Sequence, residues 1–348
     1  MPLPRRSLLR LAAGAALLAG RRPAGAHGPG PAGGAPRHEG RFRNPGGVTP
    51  PGLGALLRWQ LARTRGPWPA AVPAVAPVAL PATVAPGEVA VTLVNHATFL
   101  LQFAGLNVLT DPIWSERCSP VPWAGPRRVH PPGIALESLP RIDVVLVSHN
   151  HYDHLDLATL AALQARHRPR VVTGLGQREL LAAAGIPEAV ELDWWGEHRL
   201  GGGFAVTFTP AQHFSARSLF DRNQSLWGGF ALRAPGGAVY FAGDSGYAPL
   251  FREIGARLGP FAVALLPIGA YRPRWFMSAL HCDPEEAVRA HRDVRARRSL
   301  AMHFGCFPLA DDGYGEPAAD LEVARRNAGL TAEEFALPVP GRTLPFTL

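Results

Sequence analysis

The sequence predicts a layered α/β fold of two sheets with helices on their outer faces, and three observations carry that prediction. Strand-like apolar runs alternate with helix-like runs from about Gly87 onward, and such a mixture of meanders and crossovers needs helices to cover the outer sheet faces. The run Val144–Val147 is apolar at every position, which marks a strand buried on both faces. Hydrophobic residues make up 47% of the chain and charged ones 18%, the profile of a folded chain with a sizeable core. At 348 residues, one main domain with terminal extensions accounts for the length.

The chain opens with Arg5-Arg6, an apolar run from Leu8 to Gly20 broken only by Arg10, and Ala24-Gly25-Ala26. That order of basic start, short apolar run and A-x-A-like site resembles a twin-arginine export signal over residues 1–26, so a periplasmic mature chain starting near His27 is expected. The run is too short for a transmembrane span, and no later apolar stretch is long enough. Residues 27–86 read as an extension: a Gly/Pro/Arg tether to about Pro51, a short amphipathic helix over Leu53–Arg65, and a proline-rich connector over Pro67–Pro86. The folded body is therefore expected over residues 87–348.

Within it, Val89–Val94, Phe99–Phe103 and Leu106–Thr110 flank short turns and predict a meander. Further strands are expected at Val144–Val147, Val171–Thr173, Phe204–Thr209, Leu226–Leu232, Val239–Ala242, Ala262–Leu266 and Leu300–Met302. Helices are expected over Asp156–Arg166, Arg178–Ala184, Pro249–Leu258 and Pro284–Arg295, the two prolines suiting first-turn positions.

The formal charge is +8, all 35 basic residues being Arg, but five of those lie in the first 26 residues with no acid among them. Removing that segment leaves +3, and without an Arg cluster interleaved with aromatics this gives no footprint for nucleic acid. The three cysteines, Cys118, Cys282 and Cys306, are too few and odd in number for a disulfide framework; each reads as a small buried hydrophobe.

The strongest signal is Val-Leu-Val-Ser-His149-Asn-His151-Tyr-Asp153-His154-Leu-Asp156. A buried strand ends abruptly in a polar cluster where a helix should begin, and carboxyl ends of strands are where α/β proteins assemble their sites. Three imidazoles and a carboxylate in six residues would be expensive to bury without a cation. A tight turn aims neighbouring side chains in different directions, so they cannot all face one ion, whereas two adjacent ions resolve the geometry. Zinc suits these donors in about fourfold coordination. Three further candidates each follow an apolar strand: His213, Asp244 and His303.

With those residues in view, the chain resembles the metallo-β-lactamase superfamily from about Val89 to Phe307, and within it the N-acylphosphatidylethanolamine-hydrolysing phospholipase D group. Beyond H-x-H-x-D-H, the likeness rests on Asn95-His96-Ala97-Thr98, Leu109-Thr110-Asp111-Pro112, Leu192-Asp193-Trp194-Trp195 and Gly243-Asp244-Ser245-Gly246-Tyr247. It rests also on Trp275-Phe276-Met277 followed by His281-Cys282-Asp283-Pro284-Glu285-Glu286-Ala287. The resemblance implies an αββα sandwich holding two Zn²⁺ per chain. It assigns His149, His151 and His213 to the first zinc and Asp153, His154 and His303 to the second, with Asp244 bridging both. Asp153 and His281 are the candidate catalytic residues, and His96 and Asp111, which match family positions near the site, are expected to orient ligands. One departure is Leu280, where the family often carries Gln.

A dinuclear site would attack a phosphodiester through a shared hydroxide. In the loop after Gly269, Arg272 and Arg274 are expected to hold phosphate, and Trp275, Phe276 and Met277 to receive acyl chains. His281 is expected over the site as an acid or hydrogen-bond donor, short of either zinc. The leading expectation is a phosphodiesterase acting on a phospholipid, with peripheral membrane contact compatible. A lactonase or other carboxylic ester or amide hydrolase is the alternative on the same site; a nuclease is disfavoured by charge. A non-catalytic exported metal-binding protein is disfavoured by the complete donor set.

Overall fold

In the computed structural model, residues 34–75 and 79–348 are described; the expected export signal over 1–26 lies outside them. The chain first forms a small hairpin, β1 (Arg37–His38) with β2 (Arg41–Phe42), and then helix α1 (Leu53–Ala62). The first sheet begins with an antiparallel meander, β3 (Glu88–Asn95), β4 (Thr98–Phe103) and β5 (Leu106–Thr110). It continues in parallel through β6 (Val144–Val147), β7 (Arg170–Gly174) and β8 (Val190–Leu192), with crossover helices α2 (Leu157–His167) and α3 (Arg178–Ala183).

The second sheet repeats the plan. Strands β9 (Glu197–Gly201), β10 (Phe204–Thr209), β11 (Gly229–Ala234) and β12 (Gly237–Phe241) pair antiparallel. Parallel pairing then joins β13 (Phe261–Pro267), β14 (Ala296–Met302) and β15 (Phe335–Ala336). The connections carry α4 (Leu250–Leu258), α5 (Arg274–Met277), α6 (Pro284–Asp293) and α7 (Glu316–Asn327). Finally β16 (Thr343–Thr347) returns to pair with β3, so each sheet has seven strands.

Strand alternation sorts the side chains into layers. Val144 and Leu146 of β6 join Phe208, Phe230 and Leu265 of the second sheet in one buried cluster, whereas Val145 and Val147 pack outward with Leu160, Leu163 and Leu181 of α2 and α3. On the far side α4 and α6 bury Phe251, Ile254 and Val288. The layers are therefore α, β, β, α, the sandwich that the resemblance implies. Helix α6 starts with a complete capping box: Asp283 Oδ1 accepts from the Glu286 N–H (2.8 Å) and Glu286 Oε2 accepts from the Asp283 N–H (3.1 Å). Pro284 occupies its first turn. All three cysteines are buried and unpaired.

The extension corrects one expectation. Over the described residues 34–75 it packs on the body rather than hanging outside it as a tether. The Ala35 N–H reaches Asp193 Oδ1 (2.9 Å), Phe42 is 2% exposed within the main core, and Trp59 of α1 stacks on Phe276 while donating its indole N–H to Asp311 (2.8 Å). A few large side chains far apart in a Gly/Pro-rich stretch anchor it, so the composition reads as linker although the backbone is pinned.

Candidate metal centre

Strand direction explains why the donors meet. β3, β5 and β6 point the same way in the first sheet, as do β10, β12 and β14 in the second. His96 follows β3, Asp111 follows β5, the His149–His154 cluster follows β6, His213 follows β10, Asp244 follows β12 and His303 follows β14. His96, Asp111 and His303 each hold a positive φ (45°, 32° and 61°), a region that side-chain-bearing residues populate mainly where surroundings enforce it. Gly243 (φ 61°) is required at the Asp244 turn, since a Cβ there would lie 2.6 Å from the Gly228 carbonyl.

The first group is all imidazole. His149 Nε2 lies 2.8 Å from His151 Nδ1, and His213 Nε2 lies 3.3 Å from the same atom. His213 Nδ1 faces the Leu280 carbonyl (2.9 Å), which can only accept, so Nε2 carries a lone pair. His149 Nδ1 donates to Ser148 Oγ (2.9 Å), whose own proton goes to Asp111 Oδ2 (2.6 Å). Two lone pairs thus converge on a ring nitrogen that has at most one proton to give. A cation at that point satisfies all three.

The second group mixes signs. Asp153 Oδ2 lies 3.1 Å from His96 Nε2, 3.3 Å from His303 Nε2 and 3.4 Å from His154 Nε2. His154 Nδ1 donates to Asp111 Oδ2 (2.6 Å), turning Nε2 toward the carboxylates. Asp244 Oδ2 spans both groups, at 3.1 Å from His303 Nε2, 3.2 Å from His154 Nε2, 3.7 Å from His213 Nε2 and 3.9 Å from His149 Nε2. Its Oδ1 is buried with no hydrogen-bond partner, which is costly without a cation. The donor set therefore fits metal on its own chemistry.

Electrostatics separates the groups. Burial pulls His149 well below the usual imidazole range, His151 to about 3 and His213 to about 4. Burial also acts against protonation of His154 and His303, but Asp244 and Asp153 outweigh it, raising His154 strongly and His303 to about 9. Burial alone would raise Asp153 and Asp244, yet the facing imidazoles hold both carboxyls well below the ordinary carboxylate range.

His281 sits closer than expected. Its Nδ1 is 3.9 Å from Asp244 Oδ2 without a hydrogen-bond partner, and its ring centroid lies 5.1 Å from that of His213 and 5.2 Å from that of His303. With His213 and Asp244 it forms a further compact donor group. His96 likewise joins the Asp153, His154 and His303 donors while orienting Asp153.

The loop after Gly269 requires a larger correction. Arg272 is engaged by Asp320 (3.0 Å) and Glu316 (3.3 Å). Arg274 is engaged by Glu286 (2.7 Å) and Asp283 (3.4 Å), and also donates to the His281 carbonyl (2.9 Å). Phe276 and Met277 are buried with Trp59, Ala270 and Ala310. Only Trp275 is half exposed, beside a groove of about 830 Å³ that Trp59 and Arg65 also line. The expected phosphate cations are thus paired with acids of α7 and of the start of α6, which follows the loop directly, and the expected acyl contacts pack on α1. Sequence reasoning also missed Ser148 and Asn44. Ser148 had a signal, a polar residue between a buried strand and the first His; Asn44 had none.

A family model described as a beta-lactamase superfamily domain matches residues 106–304. The chain belongs to the metallo-β-lactamase superfamily. Among its relatives, an uncharacterized protein of Mycobacterium tuberculosis is 44% identical over 260 residues, covering 73% of this chain and 68% of its own. The N-acyl-phosphatidylethanolamine-hydrolyzing phospholipase D 1 of Caenorhabditis elegans is 40% identical over 234 residues, covering 64% of this chain and 65% of its own, so the chain spans under two thirds of that relative. A solved metallo hydrolase from Ignicoccus hospitalis superimposes with a TM-score of 0.58 at 25% identity, over 75% of this chain and 99% of that one.

Proposed function

We propose that this superfamily member is a zinc-dependent phosphodiesterase acting on N-acylphosphatidylethanolamine or a related phospholipid. The observation that carries the reading is Asp244 Oδ2, within 3.1 to 3.9 Å of imidazole nitrogens from both donor groups, the arrangement a carboxylate shared by two ions requires. Similarity to a phospholipase D of that substrate class supports the choice of phosphodiester over carboxylic ester.

In this reading His149, His151 and His213 hold one ion, Asp153, His154 and His303 the other, and Asp244 both. When bound, such a pair supplies Lewis acidity, activating water and neutralising phosphoryl oxygens. Asp111 fixes the His154 tautomer directly and the His149 tautomer through Ser148. His281 is neutral by burial, despite the pull of Asp244, and serves as a hydrogen-bond donor to the leaving group. Arg274 holds the His281 backbone instead of contacting phosphate.

The substrate lies in a lipid surface, and α1 suits one. Leu53, Leu57 and Leu61 recur every four residues on its solvent face, all strongly exposed, and no acid occurs between Glu39 and Glu88. An apolar stripe beside cations is the pattern of an interfacial helix. Among the described residues no helix is long and apolar enough to cross a membrane. Export to the periplasm belongs to the same proposal; an exporting host yielding only chains that retain the Arg5-Arg6 segment would count against it.

Metal analysis of the purified protein, followed by hydrolysis assays on phospholipids, aryl phosphodiesters and lactones, tests the reading. Two zinc ions per chain and release of phosphatidic acid are expected. Turnover of lactones with none of phosphodiesters would replace it by the carboxylic alternative.

A further inference from the structure

The segment before residue 106 lies outside the matched family domain, yet one of its side chains grips a donor strand end. Asn44 is 3% exposed and lies on the backbone of His213 from 169 residues away. Its Oδ1 accepts the His213 N–H (3.0 Å) and its Nδ2 donates to the His213 carbonyl (2.9 Å), so both peptide groups of that residue are taken by one amide. β10 has already ended at Thr209, so the sheet ladder does not reach these groups.

The amide is itself held. Nδ2 also donates to the Val48 carbonyl (3.1 Å), and the Trp227 indole N–H, directed at the Ala211 carbonyl (2.9 Å), lies 3.2 Å from Asn44 Oδ1. Trp194 donates to the Trp227 carbonyl (2.7 Å), which links the Asp193-Trp194 segment to the same grip, and Asp193 pins Ala35 at the start of the arm. The backbone around Asn44 is anchored next to it, where Phe42 is buried in the core and its N–H donates to the Asn223 carbonyl (2.8 Å). All of this fixes the peptide of His213, while the Leu280 carbonyl fixes its ring.

We propose that Asn44 is a positioning residue for His213, so that the amino-terminal arm is a working part of the first metal site. The inference rests on the metal reading above. A side chain that holds a ligand's backbone sets where the ligand nitrogen falls, and loss of such an outer partner typically costs about 10- to 100-fold in metal affinity. The cost should fall on the His149/His151/His213 ion and spare the other.

Full-length wild type, Asn44→Ala, His213→Ala, the double variant and Phe42→Ala are titrated with zinc against a chromophoric chelator, and with cobalt for its ligand-field bands. Asn44→Ala should weaken one of the two ions about 10- to 100-fold and shift only that ion's cobalt bands. His213→Ala should weaken the same ion, and the double variant should bind no worse than His213→Ala, since residues acting through one another are not additive. Phe42→Ala, which loosens the arm without touching His213, should lower the melting temperature with smaller loss of affinity. If Asn44→Ala does not fold, the isosteric Asn44→Asp keeps the acceptor and loses the donor, and the same ion should weaken. Wild-type affinity in the Asn44 variant, additive losses in the double variant, or equal affinity losses in Asn44→Ala and Phe42→Ala at matched melting temperature would each overturn the proposal. A wild type that binds neither metal would instead overturn the function on which it rests.

Discussion

The two halves of the metal centre are built on different electrostatics. The His149/His151/His213 half has three neutral imidazoles with converging lone pairs and no carboxylate of its own, whereas the Asp153/His154/His303 half pairs raised imidazoles with carboxylates that hold their charge. The second half can satisfy itself by ion pairs alone; the first cannot. The first is therefore held open by its scaffold, through Ser148, Asn44 and the Leu280 carbonyl, while the second adds its own ion pairs to the Asp111 and His96 contacts.

Asp244 is the element common to both halves, so its replacement should erase the distinction. Asp244→Asn is expected to lower zinc content at both positions and hydrolysis by more than roughly 10⁴-fold, the scale on which units of coupled catalytic groups fail. His303→Ala, by contrast, should mainly empty the second. Elemental analysis of the two variants reads this directly, and one zinc lost in each would dissolve the shared-carboxylate assignment.

His281→Ala should keep both ions and lose roughly 10²- to 10⁴-fold in turnover on a phosphodiester with a poor leaving group, and less on one whose leaving group needs no proton. Loss of zinc in this variant would move His281 into the ligand set, a result its 3.9 Å approach to Asp244 makes worth measuring.

Ser148→Ala sharpens the contrast on the first half. It removes the acceptor of His149 Nδ1 and the link to Asp111, and should cost about tenfold or more in affinity there, with the second ion unaffected because His154 bonds Asp111 directly. Competition titration resolves the two ions. The smallest effect is expected far from both halves: Leu57→Glu with Leu61→Glu should weaken sedimentation with anionic phospholipid vesicles by roughly tenfold or more, two exposed leucines being a modest share of an interfacial anchor. Turnover of a water-soluble phosphodiester should not change.

Strands such as Leu106–Thr110, Val144–Val147 and Phe204–Thr209 were legible end to end, since continuous or alternating apolar runs carry their own burial. Because donors follow strand ends, the seven nominated ligand positions could be picked out from the chain order alone. β9 was illegible because it alternates exposed and half-exposed residues at a sheet edge with no apolar run, and β16 because Pro345 sits within it. α7 is largely polar, burying only Pro317, Leu321 and Ala324. The partners of Arg272 and the grip of Asn44 were hidden for a different reason: each depends on a contact far along the chain whose other side no local pattern specifies.

Apart from β16, the first sheet is drawn from residues 88–192 and the second from residues after 196, so the donors divide the same way: His149, His151, Asp153 and His154 from one stretch, His213, Asp244 and His303 from the other. Whatever cation fills the centre is thus a rivet through two successive lengths of chain. A backbone nick in the link between β8 and β9 would then leave fragments joined by that cation as well as by the buried core between the sheets, with β16 as the strap that reaches back across the seam.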